Sequence, residues 1–170
     1  MPRQNRKFEV GGVYHIFNRG VEKRKIFLKN QDYSRFILAL EFLNNKQSID
    51  IWHALFRNDN LSTGGGTVPP PVDSRLLIRE RLENFRGKKK KPIVEILAFA
   101  LMPNHFHLIL REIQEGGISL FMRKLGGYST YFNKQHNRVG PLLQGRYKSV
   151  QIKDEIQLGN IFNYVHMLDL

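Results

Sequence analysis

Two periods of apolar residues alternate along this chain, and their order predicts the fold. Val13 to Asn18 (VYHIFN) is rich in β-branched and aromatic residues and runs into Arg19-Gly20, which reads as a strand closing in a turn. From Gln31 to Asn44, apolar Phe36, Ile37, Leu40 and Leu43 recur at a helical period, with Asp32 near the start, where a carboxylate suits the helix dipole. Ile49 to Phe56 is a short apolar run that reads only weakly as a strand. Ile93 to Met102 and His105 to Leu110 are apolar enough for two buried strands, and Pro103-Asn104 between them is the turn of an antiparallel hairpin. Ser119 to Asn133 returns to the helical period, with Ser119 as its cap. Gly126 and Gly127 in its middle each cost about 1 kcal/mol relative to alanine. After a turn at Asn137 to Gly140, Leu142 to Ile152 holds a last strand. Glu155 to Leu170 is helical, with Ile156, Ile161, Tyr164, Val165 and Leu168 on one side. Strand, helix, hairpin, helix, strand is the order of a ferredoxin-like or RRM-like α+β sandwich: an antiparallel sheet with helices on one face, here with an added C-terminal helix.

One stretch breaks this pattern. Leu61 to Val72 joins three glycines to three prolines, packs little and orders at a high entropic cost. A charged piece from Ser74 to Phe85 has a helical look, and Lys88 to Lys91 is a run of four lysines whose plainest role is a solvated surface. We therefore expect a single domain over 1–170 with a flexible Gly/Pro- and Lys-rich insertion at about 57–92.

Charge narrows the partner. The 27 Lys and Arg against 15 Asp and Glu leave a formal net charge of +12, a field that favours a polyanion. No run approaches the roughly 18 apolar residues of a spanning helix, and the basic start MPRQNRK leads into no apolar signal region. Without cysteine, neither disulfides nor thiolate metal sites arise. The expectation is a cytoplasmic protein that binds nucleic acid and no membrane. Arg19, Lys23 and Arg24 follow the first strand, while Arg123, Lys124, Lys134, Arg138, Arg146 and Lys148 gather in the second half of the chain. As phosphate contacts they would give salt-dependent affinity with little sequence preference. Tyr147 or Phe132 offers a ring on which an unpaired base can stack, although core packing explains either as well.

The chemistry concentrates in His105-Phe106-His107. On a strand the two imidazoles point to one face, about 6.5 to 7 Å apart at the Cα level, and Phe106 points to the other. Two such histidines can grip one divalent ion, zinc and iron among the candidates, although an isolated pair of this spacing is common by chance.

The setting of that triplet is more specific. Phe99 to Leu108 (FALMPNHFHL) resembles the HUH motif, histidine, bulky hydrophobe, histidine, of the single-tyrosine transposases, above all the REP-associated tyrosine transposases. Tyr14 to Gly20 (YHIFNRG), Tyr131 to Lys134 (YFNK), Gln144 to Ser149 (QGRYKS) and Tyr164-Val165-His166 resemble that family in the same order. The resemblance spans nearly the whole chain outside 57–92. It implies a divalent cation, Mg²⁺ or Mn²⁺, on His105 and His107, and no nucleotide cofactor. It also implies attack by Tyr164 on a phosphate of single-stranded DNA, a 5′-phosphotyrosine intermediate, a freed 3′-hydroxyl and rejoining. Hairpin-bearing single strands are the implied substrate, and monomers and homodimers both occur in the wider class. Tyr128 and Tyr131, spaced for packing on their own helix, are the competing tyrosines.

The chain departs from the family in one respect that touches the metal. An Asn or Gln one helical turn after the tyrosine usually supplies a third ligand, and this chain has Leu168 there, with Asn160 a weak substitute one turn earlier. The chain also ends sooner after the tyrosine than is usual. A weakened coordination shell is expected, and a non-catalytic single-strand-binding protein, either a domesticated transposase or an RRM-like module, is the alternative. A metal-dependent hydrolase with a water nucleophile is a third reading, which would leave no covalent adduct.

Overall fold

The computed structural model describes residues 7–46, 83 and 91–167, with side chains through residue 164. The weak strand at 49–56, the Gly/Pro run, Lys88 to Lys90, nearly all of the 74–85 piece and Leu168 lie outside the described residues. Strand β1 is Val13–Arg19, helix α1 Asn30–Leu43, strands β2 and β3 Val94–Met102 and His105–Glu112. Helices α2 and α3 are Gly117–Leu125 and Tyr128–Gln135, strand β4 is Lys148–Ile152, and helix α4 is Glu155–Met167. The four strands form one sheet in the order β2-β3-β1-β4, antiparallel throughout, which is the ferredoxin-like arrangement the sequence predicts.

Strand parity divides the sheet between two layers. Tyr14 and Ile16 of β1 and Phe106, Leu108 and Leu110 of β3 face a core closed by α1, α2 and α3, with Phe36, Leu40, Phe121, Tyr128 and Phe132 buried among them. The opposite face carries a smaller cluster, in which Leu158, Ile161 and Phe162 of α4 pack on Ala100, Ile109 and Ile152. The added helix therefore covers the face that α1 to α3 leave open. Two positions assigned to apolar faces point outward instead: Ile37 on α1 and Ile156 on α4 are exposed, because Ala39, Phe42, Leu158 and Phe162 occupy the contact surfaces.

Three further expectations are corrected. The helix foreseen over 119–133 is two, broken at Gly126-Gly127. Its start is at Gly117 rather than at Ser119, because the fully buried Glu112 carboxylate accepts the Gly117 and Ile118 amides at 3.0 and 2.6 Å and caps α2 from the end of β3. A side chain at position 117 is excluded, since a Cβ would stand 2.5 Å from the Ile93 carbonyl. The strand foreseen over 142–152 pairs as β4 only from Lys148. Before it, 142–147 form a loop tied to the end of β1 by a Gly20–Leu143 bridge, with Gly145 in the left-handed region at φ +66°.

At the start of α1, Asp32 is nearly fully buried and accepts the Leu28 and Lys29 amides at 2.8 and 3.0 Å, the role its position predicts. The same carboxylate accepts the Tyr131 hydroxyl at 3.3 Å and meets His136 Nε2 at 3.1 Å, which joins α1 to α3.

Candidate active site

The open face of the sheet brings three histidines together. His105 and His107 sit on alternate positions of β3, with ring centroids 5.1 Å apart and planes nearly perpendicular, while Phe106 between them is buried in the opposite core. Register then adds a residue from β1. Phe17 lies directly across from His107, so His15, two positions earlier, is its diagonal neighbour on the same face. His15 Nε2 is 2.8 Å from His107 Nδ1, and the two rings stack at 5.0 Å. Phe17 stacks on His107 at 5.7 Å and meets His15 at a tilt of 30°.

These contacts occupy one ring nitrogen of each histidine. His105 Nδ1 is 2.6 Å from the Asn104 side-chain carbonyl oxygen, which can only accept, so the neutral ring carries its proton on Nδ1 and keeps its Nε2 lone pair. In His107, Nδ1 is engaged by His15, and Nε2 is buried with no hydrogen-bond partner among the described residues. An orphaned buried imidazole nitrogen is costly unless something outside the protein meets it. Burial lowers the pKa of all three histidines. For His107, desolvation, with His15 and His105 adding repulsion, holds it down to about 4, so the pair is neutral near pH 7.

His105 and His107 open into a cavity of about 450 Å³ whose wall also holds Tyr164, Asn104, Gln144, Arg19, Lys23 and Lys148. Tyr164 reaches it from α4: its ring meets His107 edge-on at 5.7 Å, and it is half exposed. The two competing tyrosines are built differently. Tyr128 and Tyr131 are buried on the far side of the sheet, Tyr128 donating to the Ile26 carbonyl at 2.7 Å and Tyr131 to Asp32. Desolvation and the nearby Asp32 raise both phenols, Tyr131 to about 12 and Tyr128 further. Neither lines the histidine cavity.

The residues present fit a divalent ion in part. Two Nε2 atoms are available, but among the described residues no three His, Cys, Asp or Glu side chains stand together to hold one. His15 does not complete such a set, since its Nε2 faces His107. Asn160 is exposed on α4 and does not line the cavity.

The basic residues singled out in the sequence separate into groups. Arg19, Lys23 and Lys148 line the histidine cavity, and Arg19 Nε donates to the Gln144 side chain, which aims the guanidinium. Arg123 and Arg146 line a second cavity beside it. Others are committed to structure: Lys124 donates to the Asn45 carbonyl at 2.6 Å, and Arg138 pins the 137–141 turn through Asn133 Oδ1 and the Pro141 carbonyl, both at 2.8 Å. Arg24 pairs with Glu22 at 3.5 Å, and Lys134 is exposed on α3; neither lines either cavity.

Comparisons with known proteins bear on the family and the fold. The family described as "Transposase IS200 like" matches residues 75–167, more than half of the chain, a span that takes in both histidines and Tyr164. No curated protein matches. Among solved structures, the chain is similar to a REP-associated tyrosine transposase bound to a REP hairpin, with 15% sequence identity and a TM-score of 0.56 over 98% of this chain and 72% of that one. At that identity the likeness is one of fold. Among the described residues, no helix is long and apolar enough to cross a membrane.

Proposed function

The chain belongs to the IS200-like transposases, a family of single-tyrosine HUH proteins, and from that premise we propose that it cuts and rejoins single-stranded DNA through a covalent bond between Tyr164 and a 5′ phosphate. The observation that carries the reading is the half-exposed Tyr164 ring set edge-on to His107, in a cavity also lined by the cations Arg19, Lys23 and Lys148. The three cations bind and orient the phosphate that the strand presents. Tyr164 Oη attacks phosphorus, the bond to the 3′ oxygen breaks, the phenol loses its proton and the departing oxygen gains one. One phosphodiester is exchanged for another, so the reverse attack by a 3′-hydroxyl rejoins strands without a nucleotide cofactor.

His105 and His107 would hold a Mg²⁺ or Mn²⁺ ion through Nε2, and such an ion supplies charge stabilisation at the phosphate oxygens. Asn104 and His15 keep those nitrogens free, each by occupying the other nitrogen of the ring. Tyr164 competes with no buried acceptor for its hydroxyl in the way that Tyr128 and Tyr131 do.

The test is incubation with hairpin-bearing and randomised single-stranded DNA in Mn²⁺ or Mg²⁺, followed by denaturation and mass analysis. A protein–DNA adduct lost in both Tyr164→Phe and His105→Ala supports the reading, and free cut ends without an adduct favour a hydrolase. A second reading, a single-strand-binding protein that does no chemistry, is favoured by Leu168 and by the two-histidine set. It predicts tight binding with no adduct under any of these conditions.

A further inference from the structure

The turn that presents Lys23 to the histidine cavity is held in a conformation its own residues disfavour. After β1 the chain turns through Val21 to Arg24, and Glu22 and Lys23 both stand in the left-handed region, at φ 55° and 59°. Two successive side-chain-bearing residues of this kind persist only where the surroundings hold them. The Glu22–Arg24 pair, at 3.5 Å on the surface, adds little. The hold comes from outside the turn. The Gly20 amide donates to the Asn104 carbonyl at 2.8 Å, the Val21 amide to the Leu142 carbonyl at 2.9 Å, and the Asn104 side-chain amide to the Lys23 carbonyl at 3.4 Å. Just beyond, the buried Ile26 and Phe27 donate their amides to the Pro103 carbonyl at 2.7 and 3.1 Å. The Pro103-Asn104 turn between β2 and β3 is thus the mould for residues 20–27.

One side chain of that mould also touches the histidine pair. A backbone carbonyl only accepts, so Lys23 takes the amino end of the Asn104 carboxamide and leaves Oδ1 toward His105 Nδ1, 2.6 Å away. We propose that Asn104 is a positioning residue that joins Lys23 to His105, so that the cation that meets the DNA phosphate and the imidazole beside it are set as one unit before the strand arrives. The proposal deepens the function proposed above and rests on it. Lys148 lines the same cavity from β4, on the far side of β1 from that turn, and serves as the comparison.

The experiment is a double-substitution cycle, read as affinity for a randomised single-stranded DNA pool, roughly 16 nucleotides long, without metal. Lys23→Ala alone should weaken binding about tenfold, the loss of one charge-assisted contact to phosphate. Added to Asn104→Ala it should weaken binding less than about threefold further, while Lys148→Ala costs about tenfold with or without Asn104→Ala. A general loosening of the fold would blunt both lysines alike. Alongside, nitrogen NMR of the metal-free protein at about pH 8, where the ring is neutral, should find His105 protonated only at Nδ1. Asn104→Ala should give a mixture of tautomers, and Asn104→Asp, which restores an acceptor, the single form again. An equal cost of Lys23→Ala in both backgrounds, or equal blunting of the two lysines, overturns the joint and leaves the proposed function standing. So does a tautomer mixture in the unaltered protein, a result that needs no variant and decides the matter where Asn104→Ala does not fold. Failure of the unaltered protein to bind the pool overturns the proposed function and the joint together.

Discussion

The two faces of β3 are made from one run of residues and do opposite things. Phe106, Leu108 and Leu110 are fully enclosed by the helices of the large core, and two buried carboxylates at that layer's edges are answered from within the chain: Glu112 by the amides of α2, Asp32 by two amides, a hydroxyl and an imidazole. One residue over, His107 is almost as buried, yet among the described residues its Nε2 has no hydrogen-bond partner, and the layer above it is a single helix carrying a half-exposed tyrosine. The first face spends its carboxylates on the scaffold. The second sets a buried imidazole nitrogen and an accessible hydroxyl in one cavity, where something else can complete it.

The largest break in that comparison comes from exchanging the tyrosines. Tyr164→Phe is expected to remove the covalent DNA adduct below detection, while Tyr131→Phe keeps it and costs about 1 kcal/mol of stability from the lost hydrogen bond to Asp32. Adduct mass and urea midpoints measured on the same preparations check both halves. An adduct that survives Tyr164→Phe would move the nucleophile elsewhere.

The scaffold face should answer to a different substitution. Asp32→Ala removes the cap of α1 and takes a carboxylate partner from His136 and from the Tyr131 hydroxyl, so an equilibrium urea titration should show a loss of about 2–4 kcal/mol. A loss under 1 kcal/mol would mean that this network does not hold α1 to α3.

These two regions were not equally readable in the sequence. Strand parity made Phe106 a core residue and paired His105 with His107 on one face, and the Pro103-Asn104 turn fixed the hairpin; both follow from local pattern. His15 carries the same parity signal, alternating with Tyr14 and Ile16, but its contact with His107 depends on the register of β1 against β3, which local pattern does not carry. The α2 cap is hidden for a similar reason: Glu112 acts from the preceding strand, five residues before the first amide it accepts, so the local Ser119 signal misled. Charge announced a polyanion but not where it would lie. Arg19 and Lys148 reached the cavity, whereas Lys124 and Arg138, no less basic in the sequence, were taken up by backbone carbonyls.

A smaller effect sharpens the role of His15. His15→Phe keeps a ring to stack on His107 and removes the nitrogen that engages Nδ1, so His107 is free to take either tautomer. Mn²⁺ affinity by calorimetry is expected to fall about 10–100-fold, the usual cost of losing a partner behind a metal-binding histidine. In the metal-free protein, nitrogen NMR should show His107 passing from the one tautomer that the His15 contact selects to a mixture. Unchanged spectra and unchanged affinity together would reduce His15 to a packing residue.

The smallest expected effect lies in the pH dependence of the metal-free protein. His107 is held down to about 4 by burial first and by His15 and His105 next, whereas in the unfolded chain it titrates near its ordinary value of about 6.5. Between those values the unfolded state binds more protons than the folded one, so stability rises with pH across the window. The contribution is complete above about pH 6.5 and is lost as the pH falls through about 4. Carboxylates titrate in the lower part of the same range, and the comparison that isolates the histidine is the unaltered protein against His107→Asn, both followed by urea midpoint at about half-unit steps of pH. The unaltered protein should lose stability more steeply, with the divergence opening just below pH 6.5. Parallel curves would mean that His107 is protonated as readily in the fold as out of it, and the face that carries it would then be a hydrated surface rather than a dry site awaiting a ligand.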